Sequence, residues 1–157
     1  MAAQSFVTRR LLIAIALLLL GAKSAFAADT RSYQDWKVDC PKKGACVAHL
    51  DEPGVQILVG RVAPNSAVRM ALRLAAAAKS GAPVAMRLSD GWQAGLRIGQ
   101  CTKAYCEAGV TEKSTSIAIA ALKRNHDGLI AYQINDKLML IPFSLAGFEN
   151  AMKDVSG

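Results

Sequence analysis

Four cysteines and four arginines are the residues of this 157-residue chain whose types and spacing could do chemistry. The cysteines form two close pairs, Cys40 with Cys46 and Cys101 with Cys106. Zinc knuckles use Cys-x2–4-Cys spacing, which the second pair just meets and the first does not. Neither pair is a Cys-x-x-Cys redox motif. Two local disulfides are therefore favoured, although four cysteines also allow a crossed pairing.

The four arginines stand at matching positions of predicted strands. Arg69 and Arg73 share one face of one strand, and Arg87 and Arg97 share one face of the following hairpin. A guanidinium group suits bidentate binding of phosphate or carboxylate. If the sheets align these faces, we expect a basic patch for an anionic envelope component, an anionic host-surface component or an acidic protein partner. The alternative is an ordinary solvated face.

No arrangement of residues predicts catalysis. His49 lies two residues before Asp51 and His126 directly precedes Asp127, but the sequence has no Gly-x-Ser-x-Gly elbow. It also has no phosphate-binding loop, no His-Glu-x-x-His and no dinucleotide fingerprint. The pair Asp51-Glu52 would point to opposite faces of a strand. We therefore expect no enzyme activity, no catalytic residues, no metal and no cofactor.

The first 27 residues have the three parts of a secretory signal peptide. Arg9 and Arg10 supply the positive charge, residues 11–22 form an uncharged apolar run, and Ala25-Phe26-Ala27 is a small-x-small cleavage site. A membrane-spanning helix is the alternative, but it needs about 20 apolar residues, and this run stops before Lys23. We expect cleavage after Ala27 and no stable membrane span afterwards.

The signal peptide is of the Sec type, and the mature chain, residues 28–157, is then one domain that is periplasmic, secreted or on the cell surface. Cleavage removes Arg9, Arg10 and Lys23 and no acidic residue, so the net charge falls from +7 to +4. That charge is too diffuse to predict nucleic-acid binding.

Alternating apolar and polar residues predict a mainly β protein, an antiparallel β-sandwich with one or two short helices. The seven predicted strands lie at 35–40, 55–63, 68–75, 84–88, 92–98, 129–134 and 138–143. A three-residue turn with Gly91 in the left-handed conformation pairs Leu88 with Trp92. The pattern fits both a helix and a strand at residues 112–123. It also does not determine which residues pair in the hairpin at 129–143. Ser144 is predicted to cap a C-terminal helix.

Several motifs resemble one known family when they are taken in order. They are the opening Asp35-Trp36-Lys37-Val38-Asp39-Cys40, the central pair of cysteines followed by Glu107-Ala108, and the closing stretch from Ile141 to Ala151. Together they resemble the invasion-associated locus B (IalB) family of exported alphaproteobacterial proteins, over residues 33–155.

The resemblance implies an immunoglobulin-like β-sandwich, two local disulfides and a helix over residues 112–123. It brings no enzymatic activity and no cofactor. The expected function is that of an exported, non-catalytic interaction protein, similar to proteins that promote host-cell invasion. A periplasmic assembly or chaperone-like factor and an inhibitor of a hydrolase are the alternative functions.

Overall fold

The computed structural model describes residues 29–41 and 45–157. The predicted signal peptide and its cleavage site lie outside the described residues, and so do residues 42–44 between the first two cysteines. The described residues form ten strands and two helices: β1 Asp29–Tyr33, β2 Trp36–Cys40, β3 Val47–Glu52, β4 Val55–Arg61, β5 Val68–Ala75, β6 Pro83–Leu88, β7 Gln93–Arg97, β8 Tyr105–Gly109, α1 Glu112–Arg124, β9 Asp127–Ile134, β10 Lys137–Ser144 and α2 Phe148–Ser156.

The strands form two antiparallel sheets that pack face to face as a sandwich. One sheet has the order β1-β2-β3-β4-β5-β8, and the other has the order β10-β9-β6-β7. Alternate residues of each central strand enter the shared core, as Met70, Leu72 and Leu74 of β5 do. The predicted fold class is confirmed. The sequence predicts seven strands, and the structure adds β1, β3 and β8. The strand β1 is exposed along nearly its whole length, and β3 and β8 bury small residues, Ala48, Cys106 and Ala108, at alternate positions, so the apolar signal of these strands is weak.

Both predicted hairpins form. The N–H of Leu88 donates to the carbonyl of Trp92 at 2.9 Å and Gly91 has a φ of 89°, which confirms the three-residue turn. The second hairpin turns through Asn135 and Asp136, whose φ angles are 47° and 63°. Two positive φ angles are typical of a type I′ turn. This turn pairs Ile134 with Lys137 and so sets the register that the sequence leaves open.

Residues 112–124 are helical, as the family resemblance implies. The helix α1 turns Ala118, Ala121 and Leu122 towards the core, and this packing decides between the two patterns. Within the described ranges, no helix is both long enough and apolar enough to cross a membrane.

The C-terminal helix starts later than expected. Ser144 is the last residue of β10 rather than a helix cap, and its Oγ accepts a hydrogen bond from the N–H of Ala146 at 3.1 Å. The helix α2 begins after Gly147. Its Phe148 packs on Trp36 with ring centroids 4.7 Å apart, and Met152 and Val155 of the same helix are also buried.

Candidate functional site

The four cysteines form two disulfides, Cys40–Cys46 and Cys101–Cys106. These are the two local pairs that the spacing favours. Because every thiol is paired, none is left for metal binding or redox exchange. Among the residues that the structure describes, no group of three or more histidine, cysteine or acidic residues could hold a metal ion.

The four arginines do not form one patch. Arg69 and Arg73 lie on β5 of the six-stranded sheet, whereas Arg87 and Arg97 lie on β6 and β7 of the four-stranded sheet. The predicted facing within each pair is correct, but the outer faces of the two sheets point away from each other. Alternation shows which face of a strand a residue occupies and does not show which sheet the strand joins.

Arg69 and Arg73 border an open groove on the outer face of the six-stranded sheet, with a volume of about 330 Å³. The sheet register places Leu58, Ala71 and Gly109 side by side across three strands. Two of these residues are small, so they leave a depression between the longer side chains. We call this surface the arginine groove; its main residues are Leu58, Gly60, Arg69, Ala71, Arg73, Glu107 and Gly109.

The two arginines of the groove differ in how they are held. The guanidinium carbon of Arg73 lies 4.6 Å from the centre of the Tyr105 ring, and its Nη1 donates to Gln56 Oε1 at 3.3 Å. Its Nε lies 3.9 Å from Glu107 Oε2 and is buried without a hydrogen bond. Arg69 is exposed and makes no hydrogen bond or ion pair with any described residue. Arg61 also lines the groove, where its Nη1 donates to the backbone carbonyls of Pro64 and Ser66. Arg69 is therefore the groove arginine that is free to reach a partner.

A polar network continues across the same face. His49 lies between two carboxylates, with Nε2 3.1 Å from Asp39 Oδ2 and Nδ1 3.2 Å from Asp51 Oδ2. Asp51 also accepts a hydrogen bond from Gln56 Nε2 at 2.6 Å. Each ring nitrogen of His49 thus faces a carboxylate oxygen. His49 lies within β3, and its side chain is only 14% exposed.

The four-stranded sheet presents a different surface, which sequence reasoning missed. Its outer side carries aliphatic residues of three neighbouring strands, among them Leu138 and Leu140, which are 60% and 57% exposed. The pattern could not identify this surface because β9 and β10 are apolar on both faces. We call it the apolar face and define it by Ala85, Leu129, Ala131, Leu138, Leu140 and Pro142.

Comparison with known proteins finds a match among solved structures. No family model and no curated protein matches the chain. Among solved structures, the crystal structure of invasion associated protein b from Bartonella henselae matches with a TM-score of 0.66. The chain has the fold of that protein. The match covers 81% of this chain and 95% of the other, at 20% sequence identity. At this identity the likeness concerns the fold, and it supports the immunoglobulin-like sandwich that the resemblance implies.

Proposed function

We propose that the chain is an exported, non-catalytic interaction protein of the bacterial envelope or surface, similar to invasion-associated proteins that promote host-cell invasion. Three observations support the proposal: the ordered family motifs, the fold shared with invasion associated protein b, and the two disulfides. Disulfides persist mainly in oxidising compartments, which agrees with a signal peptide over residues 1–27.

The observation that carries the proposal is the arginine groove. It is open, it is formed on a rigid sheet, and it presents Arg69 and Arg73 against the single carboxylate of Glu107. Such a surface suits an acidic protein segment, because arginine binds carboxylates in a planar, bidentate manner. The partner would meet Arg69 first, since this side chain has no competing contact among the described residues.

The neighbouring His49 network supports a binding role rather than hydrolysis. A general base must have a ring nitrogen free to take a proton from a nucleophile or a water molecule. Both nitrogens of His49 instead face Asp39 and Asp51. The network therefore orders the surface beside the groove.

A chaperone-like role would require a free strand edge on which a partner strand could add. The strand β10 is the longest edge strand, but its edge is partly closed. Ile134 and Lys137 form the hydrogen-bonded pair next to the turn, so the backbone groups of Lys137 point towards β9. Because this direction alternates along a strand, the even-numbered residues of β10 point their N–H and C=O groups away from β9, to the unpaired edge. Pro142 has no N–H group to donate at this edge. Lysine and proline, here Lys137 and Pro142, disfavour pairing with an added strand. We therefore favour binding through side chains.

Affinity capture tests the proposal. The processed protein would be purified from the envelope fraction of the producing cells, and its intact mass would show whether residues 1–27 have been removed. We expect it to capture an acidic partner from envelope or host-cell extracts, and salt to weaken that capture because exposed charges are screened within about 8 Å at 0.15 M.

Arg69→Gln should reduce capture strongly, whereas the matched variant Arg87→Gln on the other sheet should not. Both substitutions remove one exposed positive charge, so the two variants have the same net charge. A difference in capture between them would therefore result from the position of the lost arginine. Capture that is unaffected by Arg69→Gln and by salt would show that the groove is an ordinary solvated face. A membrane-bound species that retains residues 1–27 would show an anchor instead of a cleaved signal.

A further inference from the structure

We propose that the apolar face binds the surface of a bilayer containing anionic phospholipid, with Leu138 and Leu140 entering the interface and Arg87 and Arg97 contacting lipid phosphates. The inference extends the proposed function, because an exported protein meets the envelope, but it does not use the arginine groove. The two proposals concern opposite sides of the sandwich and can fail separately.

The aliphatic residues are continuous across the sheet. The register places Leu140 beside Ala131, and Ala131 beside Ala85. In the next row Pro142 lies beside Leu129. No charged residue interrupts the row of Leu140, Ala131 and Ala85. The largest exposed apolar patch of a protein is often functional, which makes this face a candidate contact surface.

Two exposed arginines border this strip. Arg87 is in register with Leu129, and Arg97 lies opposite Pro83 at the other end of the hairpin. Arg87 makes no hydrogen bond with a described residue, and Arg97 donates only to the carbonyl of Gly81, at 3.2 Å. Asp127, the first residue of β9, is the single acidic residue at an outward strand position of this sheet, and exposed Asp90 and Asp136 lie in its two turns. Basic residues near an anionic leaflet strengthen binding, and the neighbouring leucines supply apolar area.

A second copy of the chain fits this face less well. Three strands about 4.8 Å apart, and a rise of about 3.4 Å per residue over residues 138–142, give the face about 14 Å by 17 Å, or about 240 Å². A standard stable interface buries about 800 Å² per partner. Two copies would also bring the arginines of both faces together. A peptide strand that paired with the unpaired edge of β10 could accept hydrogen bonds only from the N–H groups of Leu138 and Leu140 between Lys137 and Pro142, which is too few for a stable added strand. A bilayer needs neither a large complementary shape nor a free strand edge.

Vesicle co-sedimentation tests the inference with the processed, disulfide-bonded protein. We expect it to bind vesicles of phosphatidylcholine mixed with phosphatidylglycerol, to bind pure phosphatidylcholine vesicles weakly, and to dissociate as salt is raised. Leu138→Gln with Leu140→Gln should lower partitioning at least about tenfold. Arg87→Gln with Arg97→Gln should lower it about fivefold for each arginine.

Two control variants match these changes elsewhere on the surface. Val62→Gln with Ile117→Gln removes two apolar side chains that are 79% and 61% exposed. Lys37→Gln with Lys113→Gln removes two exposed positive charges away from the apolar face. Both control proteins should bind vesicles nearly as the parent protein does. Near-ultraviolet circular dichroism would verify that each variant is folded, and the arginine variant keeps the test decisive if the leucine variant does not fold.

Three results would overturn the inference. The first is equal binding of the leucine variant, the arginine variant and the parent protein, or no binding to phosphatidylglycerol vesicles. The second is competition by millimolar inorganic phosphate, which would indicate a site for free phosphate. The third is a concentration-dependent dimer that Leu138→Gln with Leu140→Gln abolishes, which would assign the face to a second copy. In each case capture through Arg69 would still be measurable, so the proposed function would be judged separately.

Discussion

Asn125, directly after α1, accepts a hydrogen bond through its Oδ1 from the backbone N–H of Asp90 at 2.8 Å. The same oxygen accepts from Ser89 Oγ at 3.0 Å, and the amide Nδ2 donates to the carbonyl of Ala121 at 2.8 Å. Asn125 is only 7% exposed. One buried amide therefore joins the end of the helix to the β6–β7 turn.

We expect Asn125→Ala to lower the free energy of unfolding by about 1–3 kcal/mol, because the substitution removes the partner of the partly buried N–H of Asp90 and of the buried carbonyl of Ala121. Urea denaturation measures the change. Gln133→Ala is the control, because Gln133 is an exposed amide that makes no hydrogen bond with a described residue, and its loss should change stability by less than about 0.5 kcal/mol. Equal effects of the two substitutions would contradict the role of Asn125.

Asp90 should make the same turn sensitive to acid. Its Oδ1 accepts the N–H of Trp92 at 2.8 Å, and this bond lowers the pKa of the Asp90 carboxyl below its ordinary value. A lowered pKa in the folded state means that the stabilisation is complete above the ordinary aspartate pKa and is lost as pH falls through the folded value. Asp90→Ala should therefore lower the Tm at pH 7, and the difference from the parent should shrink at about pH 2. A difference that stays constant with pH would show that the charge does not matter.

These contacts show where sequence reasoning stops. The turn at Ser89-Asp90-Gly91 follows from the strand alternation, because only a three-residue loop keeps Leu88 and Trp92 on the core side. The partner of that turn, Asn125, lies 35 residues away along the chain, and its side chain gives no periodic signal. Local pattern predicts hairpins and faces; it cannot predict which distant polar group closes a turn.

Gly147 and Gly91 offer a matched test of backbone space, since both have a φ of 89°. A Cβ at Gly147 would lie 1.8 Å from the carbonyl oxygen of Tyr33, whereas a Cβ at Gly91 would meet nothing within 4 Å. Gly91→Ala should cost about 1–2 kcal/mol for the left-handed conformation alone. Gly147→Ala should cost clearly more, because β1 or the start of α2 must also shift. Chemical denaturation of both variants measures the difference, and equal costs would contradict the close approach.

Each disulfide should contribute about 2 kcal/mol, because each closes a short loop in the unfolded chain. Peptide mapping without reductant should recover Cys40 with Cys46 and Cys101 with Cys106 inside single local fragments. The double variants Cys40→Ala/Cys46→Ala and Cys101→Ala/Cys106→Ala should each fold with reduced stability in urea. Fragments that join the two pairs would contradict this connectivity.

The candidate site was only partly predictable for a related reason. The alternation of β5 correctly places Arg69 and Arg73 on one outward face. It contains no information on the neighbours that form a groove, because Leu58 and Gly109 reach that face through strand pairing. For the same reason, alternation could not show that Arg87 and Arg97 lie on the other sheet. The loop after β5 carries the chain across the sandwich, so that β6 and β7 join the four-stranded sheet.

Tyr105 should hold Arg73 in the position that the arginine groove requires. A guanidinium over an aromatic ring gains about 0.5–1 kcal/mol at an exposed site. Tyr105→Phe keeps the ring, so binding of the partner captured through the groove should change little. Tyr105→Leu removes the ring and should lower the salt concentration at which that partner elutes. Arg73→Lys should act similarly, because lysine lacks the planar group that stacks.

The double variant Arg73→Lys/Tyr105→Leu tests whether the two residues act together. It should release the partner at nearly the same salt concentration as either single variant, since the effects of substituting two residues in contact are non-additive. Fully additive losses would show that Tyr105 does not position Arg73.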